Sequence, residues 1–147
     1  MSKAKGWSQG FYKPINPEKY KGDVNQIVFR SSWEQQFAKF LDCNIHVLQW
    51  GSEEFSIPYF HPLLNRPAQY FPDFWCRYND KFGNTKVEVI EIKPSNQVNK
   101  PSGKNREQME TWILNMAKWQ AAVKFCKERN LMFRILTEKS LYKSIKK

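Results

Sequence analysis

Tyr70-Phe71-Pro72-Asp73-Phe74-Trp75 and, sixteen residues further on, Glu91-Ile92-Lys93 are the two stretches on which the reading of this chain turns. Tyr70–Tyr78 and Thr85–Lys93 are rich in aromatic and β-branched residues and read as strands. Asn79-Asp80-Lys81-Phe82-Gly83-Asn84 between them reads as a turn. Side chains alternate along a strand, so Val87, Val89, Glu91 and Lys93 share one face, while Glu88, Ile90 and Ile92 share the other. A turn centred near residues 81–83 sets Asp73 opposite residues 89–93 in an antiparallel hairpin. Two carboxylates and an ammonium are thereby expected at one end of the hairpin. Charge at the end of an apolar strand is costly unless it is paired or bound to a metal.

That cluster suits phosphodiester hydrolysis. Asp73, Glu91 and the backbone carbonyl of Ile92 offer the oxygen ligands that Mg²⁺ prefers, with Mn²⁺ as a substitute. Lys93 is placed to orient water or to offset charge in the transition state. The competing reading is a structural Asp–Lys–Glu ion cluster, because alternating charges are common on solvated faces.

Upstream, Ser31 and Glu34 form a capping box, and Trp33, Phe37, Phe40 and Leu41 follow at helical spacing. That helix is expected to end near residues 42–44. Glu34 has a full role as a capping residue, yet a helix N-terminus is also where a phosphate sits, so the two roles are compatible. Arg30 and Ser31, beside it, are candidate phosphate contacts.

Val47–Trp50 and Glu54–Tyr59 read as short strands, and His61–Gln69, with Pro62 and Pro67, as a loop. After a polar loop over 94–103, a helix is expected over about 105–129. Its apolar stripe would be Met109, Trp112, Met116, Trp119, Val123 and Cys126. Leu131–Thr137 reads as a last strand. The order predicts an α/β fold with helices flanking a mixed sheet. Residues 1–26, rich in Lys, Gly, Pro and Asn, read as an extended basic arm, and 27–147 as a single domain.

Twenty-four Lys and Arg against 14 Asp and Glu leave a net charge of +10. A domain this basic is expected to meet a polyanion, with DNA the leading candidate. Candidate contacts are Lys100, Lys104 and Arg106 in the loop, Asn115, Lys118 and Gln120 on the long helix, and the tail lysines Lys139, Lys143, Lys146 and Lys147. For each, solvated surface charge or a polar helix edge is the simpler account. Cys43, Cys76 and Cys126 lie too far apart for a disulfide framework and fit a reducing compartment. They also lack the paired spacing of a zinc site. Gly103-Lys104 is followed by Asn105, so no nucleotide-binding loop is expected. No apolar run is long enough for a membrane span, and residues 1–10 do not read as a secretory signal.

Pro72-Asp73 followed by Glu91-Ile92-Lys93, with Glu34 on an upstream helix, resembles the PD-(D/E)xK nucleases of the restriction-endonuclease-like fold. The expected α-β-β-β-α-β order is similar to their core. Asn16-Pro17-Glu18-Lys19-Tyr20-Lys21-Gly22-Asp23 and Phe29-Arg30-Ser31-Ser32-Trp33-Glu34 add to the likeness, as do Tyr70–Trp75 and Glu91-Ile92-Lys93-Pro94. Together they resemble the head completion nucleases of tailed phages. The likeness continues through Trp119 and Phe125-Cys126 to Thr137-Glu138 and covers most of the chain. Endonuclease subunits of certain transposons share the acidic residues and the lysine but carry extra domains. The resemblance implies Asp73 and Glu91 as metal ligands, Lys93 as the catalytic lysine and Glu34 as an upstream acid at the metal. It further implies DNA processing at a filled capsid, portal or other head and neck proteins as partners, and a place in the host cytoplasm or the virion. Two other readings stay open on the sequence: a basic DNA- or capsid-binding head protein whose acids are structural, and a junction-resolving nuclease of the same fold.

Overall fold

The computed structural model describes residues 9–140. The first eight residues of the arm, Trp7 among them, and the tail residues Lys143, Lys146 and Lys147 lie outside the described residues.

The centre is a four-stranded mixed sheet. Its strands, in chain order, are β3 (Val47–Ser52), β6 (Phe74–Asn79), β7 (Thr85–Ile92) and β8 (Met132–Leu136). They lie side by side in that same order, antiparallel at β3/β6 and β6/β7 and parallel at β7/β8. Helix α1 (Ser32–Cys43) precedes β3, and α2 (Arg106–Glu128) forms the crossover from β7 to β8. Parallel neighbours need such a crossover, which antiparallel ones do not. Two small pairs complete the fold: β1 (Gly10–Phe11) with β2 (Val28–Phe29), and β4 (Ile57–His61) with β5 (Arg66–Tyr70).

The β6–β7 register is the one the turn implies. Phe74 pairs with Ile90 and Asn79 with Thr85, which carries Asp73 to the level of Glu91. Asp80 holds the turn by accepting from the N–H groups of Phe82 and Asn84, both at 2.9 Å.

Two cores cover the two faces of the sheet. On one, Phe37, Ala38 and Leu41 of α1 pack on Trp50, Phe74 and Ile90. On the other, Trp119 and Ala122 of α2 pack on Ile57 and Tyr70, with Phe133 and Ile135 beside them. The segment before β2 joins the first core. Tyr20 meets the fully buried Trp50 edge-on, with ring centroids 4.7 Å apart.

Three expectations are corrected. The stretch 61–69 is not all loop, because Arg66–Tyr70 forms β5 against β4. Pro67 misled here: it lies in a two-stranded pair, where a missing N–H is tolerated on an outward edge, whereas Pro62 does lie in the turn between β4 and β5. The expected strand 70–78 is broken at Phe71-Pro72-Asp73, which separates β5 from β6 and leaves Asp73 just outside the ladder. The buried line of α2 is Asn115, Trp119, Ala122 and Cys126, whereas Val123 is 53% exposed. The helix turns its small Ala122 inward, fully buried with Ile57 of β4 and Tyr70 of β5.

Gly51 marks a tight crossing. It pairs with Trp75, and a Cβ at Gly51 would lie 2.3 Å from Trp75 Nε1. The indole is rigid, so the backbone or the ring has to shift. Gly51→Ala is expected to cost about 1–3 kcal/mol, read as a lower urea midpoint at unchanged slope.

Candidate active site

The site lies at the end of the sheet where β6 begins and β7 ends. Asp73 is half-buried in front of β6, and its Oδ2 accepts from Ile92 N–H at 2.8 Å. One strand's backbone thus orients the other strand's carboxylate. Glu91 is buried. Tyr70 OH donates to its Oε1 at 2.5 Å, and Lys93 Nζ lies 3.4 Å from its Oε2. Lys93 is anchored through its own N–H to Leu136 O at 2.9 Å, so the ammonium springs from a backbone held by β8.

Helix α1 aims its first turn at the same place. Ser31 caps it, accepting from Glu34 N–H at 3.2 Å with Oγ. Glu34 is half-buried, and its Oε1 is 3.4 Å from Arg30 N. The capping role and a place in the acidic cluster coexist. Glu34, Asp73 and a third acid, Glu53, each present a carboxylate oxygen, and these oxygens all lie within 4.8 Å of one another.

Glu53 was not anticipated. It follows β3 directly, has a left-handed backbone (φ 54°), and donates its N–H to Asp73 O at 3.2 Å. Its carboxylate pairs with the Arg30 guanidinium. The only signal for it is indirect: Ser52 pairs with Phe74, so the residue after β3 faces the residue before β6. That pairing is visible only once β3 is known to lie beside β6.

Like charges and burial raise proton affinity here. The Asp73 carboxyl is held well above its usual range, first by burial and then by the charges of Glu91 and Glu34. Glu34 is raised by burial and by Glu53, although the Arg30 N–H works against this. Tyr70 is pushed far up by burial and by Glu91, so it stays a donor. Carboxylates crowded this closely, with Asp73 and Glu34 raised in proton affinity, form a site that a cation relieves. Hard carboxylate oxygens fit Mg²⁺, and no soft ligand is among them.

Lys118 stands nearer the acids than a place on the helix edge implies. Expected as a contact on the helix edge, it is brought to the cluster instead. Its ammonium lies 5.8 Å from the centroid of the Tyr70 ring, and it feels both Glu91 and Asp73. Burial and the neighbouring Lys93 lower its proton affinity. Of the other candidate contacts, Arg30 and Ser31 border the site. Lys100, Lys104 and Gln120 are exposed, and Arg106 is paired with Glu110 at 3.5 Å. Asn115 is buried one turn of α2 before Lys118.

A mixed sheet between two helices, with acids and a lysine converging from β6, β7 and α1, defines a nuclease of the restriction-endonuclease-like class. Sequence comparisons agree. A family model described as "TnsA-like endonuclease N terminal" matches residues 44–138. The "Head completion nuclease" of Enterobacteria phage T4 is 37% identical over 142 residues, which cover 90% of this chain and 92% of that one. The chain belongs to the family of that head completion nuclease and carries the TnsA-like endonuclease domain. No helix among the described residues is long and apolar enough to cross a membrane.

Proposed function

We propose that the chain is a Mg²⁺-dependent endodeoxyribonuclease that processes DNA during phage head completion, together with portal or other head and neck proteins. The convergence of Glu34, Glu53 and Asp73 on one point, beside Glu91 and Lys93, is the observation that carries this reading. Asp73, Glu91 and the Ile92 carbonyl would hold the ion, with Glu34 completing the site and Glu53 as an added ligand. Mn²⁺ would substitute. The bound ion supplies Lewis acidity and a water of lowered pKa.

The chain's own residues do the rest. Ile92 N–H keeps Asp73 turned toward Glu34 and Glu53. Tyr70 and Lys93 hold Glu91 in one rotamer. Hydrolysis joins a water oxygen to phosphorus as a sugar oxygen departs, and negative charge builds on the phosphoryl oxygens. Lys93 offsets that charge, with Lys118 as a second cation nearby. Arg30, Ser31, Lys100, Lys104, Arg106, Asn115 and Gln120 remain candidate DNA contacts. The excess of ten positive charges supports DNA as the substrate.

Supercoiled plasmid tests the reading. The wild type should relax or linearise it with Mg²⁺ and leave it intact with EDTA. Lys93→Ala should cut about 100-fold more slowly at an affinity for DNA within about twofold of wild type. Cutting in EDTA, or an undiminished rate for Lys93→Ala, would sink the assignment. A wild type that binds linear, nicked and branched DNA but cuts none would leave a DNA-binding head protein with structural acids.

A further inference from the structure

A cavity of about 590 Å³ lies between the loop that follows Lys93 and the first three turns of α2. Six carboxamides line it: Asn96, Gln97, Asn99, Asn105, Gln108 and Asn115. Its charged groups are one cation, Lys100, and one acid, Glu107. Two polar groups at its α2 wall have no partner among the described residues. Asn115 is only 5% exposed, lines the cavity, and its side chain makes no hydrogen bond. The Trp112 indole N–H, three residues earlier on the same helix, is buried without an acceptor. An amide left unpaired in a residue this enclosed is costly, so the Asn115 side chain is the group at this wall that a ligand in the cavity would pair.

The chemistry of the lining selects the ligand. A phosphate site wants cations and N–H donors, whereas carboxamides present as many acceptor oxygens as donor groups, and Lys100 is balanced by Glu107. The edge of a nucleobase also mixes donors and acceptors, and Asn and Gln pair with it in bidentate fashion. Trp112 adds an aromatic surface of the kind on which bases stack. The volume falls in the range of ordinary small-ligand sites.

Location links the cavity to the carboxylates. Asn96 follows Lys93 by three residues, so it lies within roughly 11 Å of it along the chain. Asn115 precedes Lys118 by three residues, or about 4.5 Å along the helix axis. Phosphates of one strand advance about 3.4 Å per nucleotide along a duplex. The cavity is therefore one to three nucleotides from the phosphate that the acids would engage.

We propose that this cavity receives the base of an unpaired nucleotide next to the cleavage point, and so directs the enzyme to DNA with an unpaired base: a bulge, a frayed end or a branch. This rests on the nuclease reading of the neighbouring acids. Extruding a paired base is costly and accepting an unpaired one is not, which turns the pocket into a selector of DNA structure.

Three fluorescent duplexes decide it, with affinities measured by anisotropy in EDTA so that all stay intact. One is fully paired, one carries a single bulged nucleotide, and one carries an abasic residue in the bulge. The wild type should bind the bulged duplex about tenfold more tightly than either of the others. Asn115→Leu should lose the preference for the bulged duplex over the paired and abasic ones. Asn96→Ala/Gln97→Ala, on the exposed rim, should lose most of the preference with no effect on folding. Equal wild-type binding of the paired and bulged duplexes overturns the pocket and leaves the nuclease reading standing. So does an undiminished preference for the abasic bulge, which would signal flexibility rather than a base. Failure of the wild type to bind any of the three overturns the pocket and the DNA-directed function together.

Discussion

Asp73→Asn is expected to abolish cleavage and, at the same time, to make the metal-free protein more stable at neutral pH. The first effect should reach about 10³-fold or more in plasmid cleavage with Mg²⁺, since a metal ligand underlies several kcal/mol of transition-state stabilisation. The second follows from the crowding of carboxylates. Asp73 has a folded-state pKa above its unfolded one, chiefly through burial and then through Glu91 and Glu34. A group shifted in that direction favours the fold at low pH and loses that contribution as pH rises through the folded value. The ionised form of Asp73 therefore opposes folding. An amide of the same shape can still accept from Ile92 N–H, and it carries no charge. The variant should gain stability without metal, read as a higher Tm than that of the metal-free wild type. Mild acidification should stabilise the metal-free wild type more than the variant, and Mg²⁺ should raise the Tm of the wild type alone. A metal-free Tm for Asp73→Asn below that of wild type would contradict the repulsion argument, even if cleavage is lost.

The largest loss of stability is expected away from the acids, at Asp42. This carboxylate is fully buried near the end of α1. It accepts from Tyr12 OH at 2.7 Å, Ile15 N–H at 2.7 Å and Asn16 N–H at 3.0 Å. Beside it, Lys19 Nζ donates to the carbonyls of Leu41, Asp42 and Asn44 at 2.8–2.9 Å, satisfying the orphan acceptors of the helix terminus. The charges of Asp42 and Lys19 also attract each other. Asp42→Ala leaves three donors without their acceptor and should cost about 4 kcal/mol, lowering Tm by about 12 °C. Because α1 carries Glu34, cleavage by this variant should fail at a lower temperature than that of wild type. A loss under about 1 kcal/mol would mean that the segment before β2 is not held through this carboxylate.

What was legible in the chain was what local periodicity encodes. Alternation along Thr85–Ile92 and a six-residue turn set Asp73 level with Glu91, and the observed β6–β7 register follows from them. The S-x-x-E box placed the start of α1, with Ser31 as its cap. The proline signal misled at Pro67, because a two-stranded pair tolerates what a central strand does not. On α2, helical spacing put Val123 on the apolar stripe, and only packing on β4 and β5 showed that Ala122 is buried in its place.

The sequence by itself determined a hairpin that brings an acid before β6 to the level of an acid and a lysine ending β7, because both partners are near neighbours along the chain. Only the tertiary structure decided that Glu53 joins Glu34 and Asp73, that Lys118 turns toward them, and that a carboxamide-lined cavity opens beside Lys93. Each of these depends on β3 lying against β6 or on α2 crossing from β7 to β8. Such contacts join segments far apart in the chain, and they are set by how whole faces bury together rather than by the spacing of residues within any one of them.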